Sequence, residues 1–398
     1  MRKKLIGRGA RMKTAGYAAG FAVILVIVSA AAVLSKAGPD YVVISWSNLG
    51  MQDTNKDFST FALHPPFGAL MAQVVKRGTE SRGPSLVTKD VSLTYEVPNN
   101  TYSMGKTNLW EYAGMLFGLQ LDPDTGITLK GLSGSFSLAP SGDHFAAEWV
   151  PITPYTDYDL NHEDPFQLAG VTLSDRRGNV LAASRPVIPV SNEISCRACH
   201  KTDRNIVANH PKSANLDPSR PVFCAGCHAS NALGTKGIPR AGSLSERMHR
   251  KHDRATNNCY LCHAGVKTRF HRDPMADRAG LICQDCHGNM ANIADSITQG
   301  RRPWIDEPKC GACHGPQYAE EPGKRFSTSK GHGGLYCSAC HGSPHAILPS
   351  REERDNEHNT ALQGFSGTLQ NCGVCHERVP SGAGPHQDAG HMDTAVLP

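Results

Sequence analysis

The sequence predicts three consecutive parts: an N-terminal apolar helix, a β-rich, sandwich-like domain, and a mostly irregular domain with short helices. An uncharged and largely apolar run covers residues 15–34. Short segments of alternating apolar and polar residues recur between about residues 40 and 190. All 14 cysteines of the 398-residue chain lie after residue 195. We therefore assign residues 1–38, 39–190 and 191–398 to the three parts.

The first part has the features of a membrane-targeting segment. Six Lys and Arg residues fall within the first 13 positions, and the apolar run that follows is long enough to span a bilayer as a helix. We expect an uncleaved membrane anchor. The alternative is a cleaved signal peptide, because Ser35-Lys36-Ala37 is an acceptable cleavage site. In both cases the positive end stays inside, so residues after about 38 are exported.

The second part shows strand periodicity with turn residues between the segments. The predicted strands are 41–46, 91–97, 126–130 and 145–149, and a hairpin joins 168–174 to 180–184 across the loop 175–179. Residues 108–119 are the one predicted helix. Strands at this spacing are typical of a β-sandwich.

Two acidic stretches begin like calcium-binding loops, at residues 53–57 and 157–161. In the second stretch, the sixth position is His162 and the twelfth is Leu168, where a calcium loop needs glycine and glutamate. We therefore predict solvated loop carboxylates at both places.

Every cysteine belongs to a Cys-X-X-Cys-His motif, and none is left over. Two thiols at this spacing can each form a thioether with a haem vinyl group, and the histidine becomes the proximal iron ligand. Zinc ribbons and disulfides also use paired cysteines, but neither requires a histidine after every second cysteine. We predict seven covalent haems c. Their attachment cysteines and proximal histidines are Cys196, Cys199 and His200; Cys224, Cys227 and His228; Cys259, Cys262 and His263; Cys283, Cys286 and His287; Cys310, Cys313 and His314; Cys337, Cys340 and His341; and Cys372, Cys375 and His376.

The composition of the third part supports this interpretation. Only 28 of its 208 residues are Val, Ile, Leu or Phe, too few to build a core from side chains alone. Seven haem macrocycles supply the missing apolar mass. We expect this part to remain unfolded without haem.

The formal net charge of +5 does not indicate nucleic-acid binding. Subtracting the six cations of the first 13 residues leaves −1 for the rest of the chain, and haem propionates add further negative charge.

Histidines outside the motifs are candidates for the sixth ligand of each iron. Two of them lie three positions apart in residues 245–252, so they share a helical face and can serve two neighbouring haems. The predicted distal ligands are His210, His249, His252, His332, His345, His386 and His391, with His271 and His358 in reserve.

The motifs place the chain among multihaem c-type cytochromes. More narrowly, it resembles a group of bacterial exported cytochromes that join an N-terminal β domain to a histidine-rich haem domain. The matching segments are 43–51, 190–196, 229–236, 304–308 and 332–337. The sequence departs from the group at Gln52-Asp53, where the group is expected to have a His-Cys pair. The resemblance implies electron transfer in respiration or to extracellular acceptors.

We expect an electron carrier rather than an enzyme, with mainly bis-histidine haems. The alternative is a multihaem oxidoreductase that reduces a nitrogen or sulfur oxyanion at one haem with an open coordination position. The expected partners are other redox proteins or membrane quinol-linked electron donors. The expected location is the periplasmic side of the inner membrane, or the periplasm or exterior if the N-terminal helix is cleaved.

Overall fold

A computed structural model describes residues 40–265, 267–381 and 385–386. All of these residues belong to one compact unit, Pro39–Pro398. The predicted N-terminal helix and His391 lie outside the described residues. Within the described part, no helix has the length and apolar character needed to cross a membrane. The predicted boundary at residue 190 stays a prediction.

The first half is rich in β-sheet, as predicted, and carries a single α-helix among its described residues, α1 (Leu109–Phe117). The strands are β1 Tyr41–Ser47, β2 Gln52–Asp53, β3 Phe61–Ala62, β4 Gly68–Lys76, β5 Ser85–Leu86, β6 Val91–Glu96, β7 Ser133–Ser135, β8 Ser137–Leu138, β9 Phe145–Val150, β10 Phe166–Leu168, β11 Gly170–Asp175, β12 Val180–Ser184 and β13 Val187–Ser191.

The second half consists of short helices and irregular segments, as predicted. Its strands are β14 Val222–Phe223, β15 Gly342–Ser343 and β16 Ala346–Ile347. The helices are α2 Arg197–His200, α3 Asp203–Ala208, α4 Cys224–Cys227, α5 Leu244–His252, α6 Pro274–Asp277, α7 Cys283–His287, α8 Met290–Thr298, α9 Gly311–His314, α10 Cys337–His341 and α11 Glu353–Gln363. Further single 3-10 turns are Lys212–Ala214, Cys259–Leu261, Pro316–Tyr318, Phe326–Thr328, His332–Gly334 and Cys372–Val374.

Two sheets of the β region enclose its main core. One sheet has the strand order β1-β4-β9-β8, with β5 on the edge of β4, and the other has the order β12-β11-β6-β7. Side chains from both sheets meet in one buried cluster that includes Val43, Val74, Leu93 and Leu173. A third, smaller sheet, β10-β13-β2, leads to the first motif.

Strand β4 is buried along nearly its whole length, because both of its faces are covered. Leu70, Ala72 and Val74 point into the core between the sheets. On the opposite face, Met71 and Val75 join a second cluster. That cluster also contains Ala339 and, at its margin, Val374 and Cys375 from the last two motifs. The first sheet is therefore a middle layer between the β core and the end of the motif-bearing half.

Most of the predicted elements are present. The hairpin of β11 and β12 turns across residues 175–179, and α1 falls inside the predicted helix. The predicted strand at 126–130 is wrong. That segment is a turn closed by the Gly126 N–H donating to the Lys130 carbonyl at 2.8 Å, with Leu129 at a positive φ of 62°.

The prediction of solvated carboxylates fails at Asp53. This residue lies in β2, and its Oδ1 atom is out of contact with solvent and has no hydrogen-bond partner within the described part of the chain. Burial, and next the nearby Glu193 carboxylate, raise the pKa of Asp53 to about 7.

Candidate haem-binding sites

Each Cys-X-X-Cys-His motif folds as a single helical turn. Five motifs form the short helices α2, α4, α7, α9 and α10, and the other two form the 3-10 turns Cys259–Leu261 and Cys372–Val374. In the first motif, the His200 N–H donates to the Cys196 carbonyl at 3.0 Å, and the corresponding bond in the last motif, from His376 to Cys372, is 2.9 Å. One turn thus brings the first cysteine and the histidine to the same side. No disulfide joins any of the fourteen cysteines, all of which lie in the described part of the chain.

Six of the seven motif histidines face the ring of one histidine from outside the motifs. The distances between ring centroids are 6.1 Å for His200 and His252, 6.4 Å for His228 and His210, 6.1 Å for His263 and His249, 6.0 Å for His287 and His345, 5.9 Å for His341 and His386, and 6.0 Å for His376 and His332. Each pair joins one motif histidine to one of the predicted distal ligands.

This separation fits an iron between the two rings. A metal bound at about 2 Å from each imidazole nitrogen places the two ring centroids about 6 Å apart. The angle between the ring planes is not fixed by such an arrangement, because each ring can rotate about its metal–nitrogen bond. The observed angles range from 24° for His287 and His345 to 89° for His200 and His252.

Hydrogen bonds orient several of these rings through their other nitrogen. On α5, the Nδ1 atom of His249 lies 2.7 Å from the Ser245 carbonyl, and that of His252 lies 2.8 Å from the Met248 carbonyl. Because a carbonyl only accepts, Nδ1 must carry the proton and donate. The lone pair of Nε2 is then available to a metal, as in metal sites where a backbone carbonyl fixes the histidine tautomer.

Burial keeps the imidazoles of several motif and facing histidines neutral. It lowers the pKa of His263 and of His341 to about 4, and that of His345 to about 3. A neutral imidazole is the form that binds metal. The electrostatics of these sites therefore favour coordination at neutral pH.

The two reserve histidines have Nε2 atoms engaged elsewhere. The Ser45 N–H donates to His358 Nε2 at 3.2 Å in a buried contact between β1 and α11. His271 Nε2 lies 3.1 Å from Asp273 Oδ1, although its ring is 5.9 Å from that of His345.

The fifth motif differs from the other six. Among the described residues, no second imidazole faces the ring of His314. The ring four positions later, Tyr318, lies 5.0 Å from the ring of His386. The seventh predicted distal ligand, His391, is outside the described residues.

The β region contributes contacts to the motifs that the sequence did not reveal. At the end of β4, Arg77 Nη2 donates to the Gly373 carbonyl at 2.8 Å, and the Gly78 N–H donates to the Cys375 carbonyl at 2.9 Å. Strand β3 pairs in parallel with β14, directly before Cys224. These contacts join residues more than 150 positions apart, so no local pattern could predict them.

A family model described as "Cytochrome c554 and c-prime" matches residues 291–342, which include the fifth and sixth motifs. No curated protein and no solved structure matches the chain. The match supports a c-type cytochrome with covalently bound haem c and a haem-based role in electron transfer.

Proposed function

We propose that this c-type cytochrome binds seven haems, one at each motif, and passes electrons along them. The observation that carries the proposal is the set of six facing histidine pairs, each at the separation that a bis-histidine iron requires. Two imidazoles hold both oxidised and reduced iron low-spin, so the ligands need not change during electron transfer. They also favour lower potentials than a methionine ligand would.

The pairs assign a distal ligand to each of six haems. Numbered by motif, the first to fourth haems take His252, His210, His249 and His345, and the sixth and seventh take His386 and His332. We assign His391 to the fifth haem, opposite His314, as the remaining predicted ligand.

Shared elements suggest the order of the haems in space. Helix α5 carries His249 and His252, so the third and first haems are neighbours. His210, the ligand proposed for the second haem, follows His200 by ten residues across α3, so the second haem adjoins the first.

The third and fourth haems are linked by two contacts. Gln284, inside the fourth motif, donates to the Asn257 carbonyl just before the third motif at 2.9 Å. The side chains of Cys259 and Cys283, one from each motif, also lie next to each other. Cys286 of the fourth motif also lies near Cys313 of the fifth motif, which supports adjacent fourth and fifth haems.

The last three haems follow in sequence order. Tyr318, after the fifth motif, packs on His386 of the sixth haem. The Leu369 N–H donates to the Cys340 carbonyl of the sixth motif at 2.9 Å, three residues before the seventh motif begins. We propose the order second, first, third, fourth, fifth, sixth, seventh, which makes the second and seventh haems the ends of the chain.

The cellular setting is also part of the proposal. The residues after about 38 are exported, and the protein acts in respiration or in transfer to extracellular acceptors. Its partners are redox proteins or membrane quinol-linked donors, not nucleic acid. The basic first 13 residues and the apolar run that follows support membrane attachment on the periplasmic side.

Two measurements test the proposal. A pyridine haemochrome assay with intact mass should give seven haems per chain, each linked through two thioethers. Electron paramagnetic resonance of the oxidised protein should give only low-spin ferric signals. Fewer haems in a host with competent maturation machinery, or a high-spin signal, would contradict the corresponding part of the proposal.

A second candidate function is reduction of a nitrogen or sulfur oxyanion at one haem with an open position. His314 is the observation that favours it, because it is the motif histidine without a facing imidazole among the described residues. This candidate requires carbon monoxide to bind the reduced wild-type protein at about one haem in seven. If carbon monoxide does not bind wild type but binds the His391→Ala variant, His391 is the distal ligand of the fifth haem. That outcome favours the electron-carrier function.

A further inference from the structure

Strand β4 contacts the two segments that meet at the junction of the sixth and seventh haems. The first is the loop from Lys330 to Tyr336, which contains His332, the ligand proposed for the seventh haem, and leads into the sixth motif at Cys337. The second is the seventh motif itself. Residues two apart on a strand face the same side, so Gln73, Val75 and Arg77 point together toward these segments.

The side chain of Gln73 binds backbone groups of the loop. Its Nε2 donates to the Gly334 carbonyl at 3.1 Å, and its Oε1 accepts from the Tyr336 N–H at 3.0 Å. The side chain is fully buried, and Nε2 also donates to the Asp143 carbonyl at 3.2 Å. A buried amide whose donors and acceptors are all hydrogen-bonded fixes the position of its partners. Any displacement would leave buried polar groups without a hydrogen-bond partner from water or protein.

Further contacts from the β region hold the same loop. The Tyr336 hydroxyl donates to Asp143 Oδ1 at 3.1 Å, and Lys330 forms an ion pair with the same carboxylate. The ring of His144 packs edge-on against Tyr336, with centroids 4.8 Å apart. His332 therefore projects from a loop whose two ends are both fastened to the β region.

The seventh motif is held by the two residues that directly follow β4. The Arg77 and Gly78 bonds to the Gly373 and Cys375 carbonyls fix the turn that carries His376. A strand advances about 3.3 Å per residue, so Gln73 in β4 and Arg77, the first residue after it, are spaced about 13 Å apart. Val75 packs between them in the cluster that includes Ala339 and Cys375.

We infer that Gln73 and Arg77 are positioning residues of the seventh haem, which set His332 opposite His376 and fix the spacing between the sixth and seventh haems. The inference rests on the proposed function and gives the β region a role in it. The β region then acts on electron transfer by holding ligands in place, and no direct contact with the iron is needed.

The test replaces Gln73 with leucine. This change keeps a similar side-chain volume and removes the hydrogen bonds. Haem content should stay at seven, because the thioethers are untouched. The seventh haem should lose part of its His332 coordination. A high-spin ferric signal and carbon monoxide binding should appear, up to about one haem in seven. Added imidazole should reverse both changes by replacing the displaced ligand.

Gln167→Leu is the matched control. Gln167 is also buried, and its Nε2 donates to the Thr153 and Asp164 carbonyls at 2.9 and 3.0 Å, but these partners are all within the β region. Its replacement should lower stability without changing the haem spectrum. If Gln73→Leu likewise lowers stability alone, with seven low-spin haems unchanged, the inference is overturned.

Arg77→Met is the second variant, for use if Gln73→Leu does not fold. Arg77 is only half-buried, so its loss should be tolerated. It should shift the reduction potential of one haem or produce the same imidazole-reversible signal, and seven unchanged potentials would overturn the inference. Failure of the proposed function would differ, because wild type itself would then contain fewer than seven haems or a high-spin signal.

Discussion

Arg272 and Asp355 form a buried ion pair with two hydrogen bonds, Nε to Oδ2 at 2.6 Å and Nη2 to Oδ1 at 2.8 Å. The pair ties the segment after the third motif to α11. The Arg272 N–H also donates to the carbonyl of His345, the ligand proposed for the fourth haem, at 2.9 Å. A contact between two charged side chains therefore also stabilises the backbone beside a candidate ligand.

Removal of one partner of this pair should be strongly destabilising. We predict that Asp355→Asn or Arg272→Met costs about 3–5 kcal/mol, because the remaining charge is buried without its partner. The double variant Arg272→Met with Asp355→Leu should recover part of the loss. Denaturant unfolding followed by circular dichroism measures both. The control is Asp306→Asn, which breaks the exposed Arg302–Asp306 pair. A loss of unfolding free energy in Asp355→Asn no larger than in this control would contradict the prediction.

Exchange of a ligand on α5 should change one haem at a time. We predict that His252→Met and His249→Met each keep seven haems and each raise a different single potential. The rise should be on the order of a hundred millivolts, within the ~0.8 V range that axial ligands span. Potentiometric titration followed by absorbance measures it. His162→Met is the control, since that histidine is exposed on a β-region loop. Unchanged potentials in either α5 variant would remove that histidine from the ligand set.

The stability of the protein should depend on pH through Asp53. Its folded-state pKa of about 7 lies above the ordinary value, so the folded state favours the protonated carboxyl. Its contribution to stability is present below about pH 4 and is lost as the pH rises to about 7. Asp53→Asn should therefore be more stable than wild type at pH 8, by about 4 kcal/mol, and similar to it at pH 4. Thermal unfolding at both pH values is the measurement, with the exposed Asp122→Asn as control. An equal effect of Asp53→Asn at both pH values would rule out this titration.

Cell fractionation tests the N-terminal prediction. We expect the protein with membranes, and the motif-bearing part accessible to protease from outside the cytoplasm, because residues 15–34 are long enough to span a bilayer. A soluble form that begins near Gly38 would instead show that the segment is a cleaved signal peptide.

Local patterns predicted the elements that local interactions determine. Strand β6 alternates polar and apolar residues, and one of its faces is buried, so its periodicity is visible. Strand β4 escaped prediction because both of its faces are buried and its residues do not alternate. The segment at 126–130 was wrongly predicted as a strand because Ile127 and Leu129 alternate with polar residues. In the structure these residues lie in a turn.

The same distinction between local and long-range interactions applies to the candidate haem sites. The attachment motifs are contiguous in sequence, so their cysteines and histidines could be identified directly. Candidate distal histidines could be named as a set, but which motif histidine each of them faces depends on tertiary structure. The contacts of Gln73 and Arg77 could not be predicted, because these residues bind residues about 260 and 300 positions away.

The bond from Ser45 to His358 has a consequence for how the chain matures. The two residues are 313 positions apart, so at ordinary rates of translation on the order of tens of seconds separate their synthesis. During that interval the face of β1 that carries Ile44 and Trp46 has no covering partner from α11 or from the sixth motif. Nascent chains therefore present an apolar sheet surface that a chaperone can recognise.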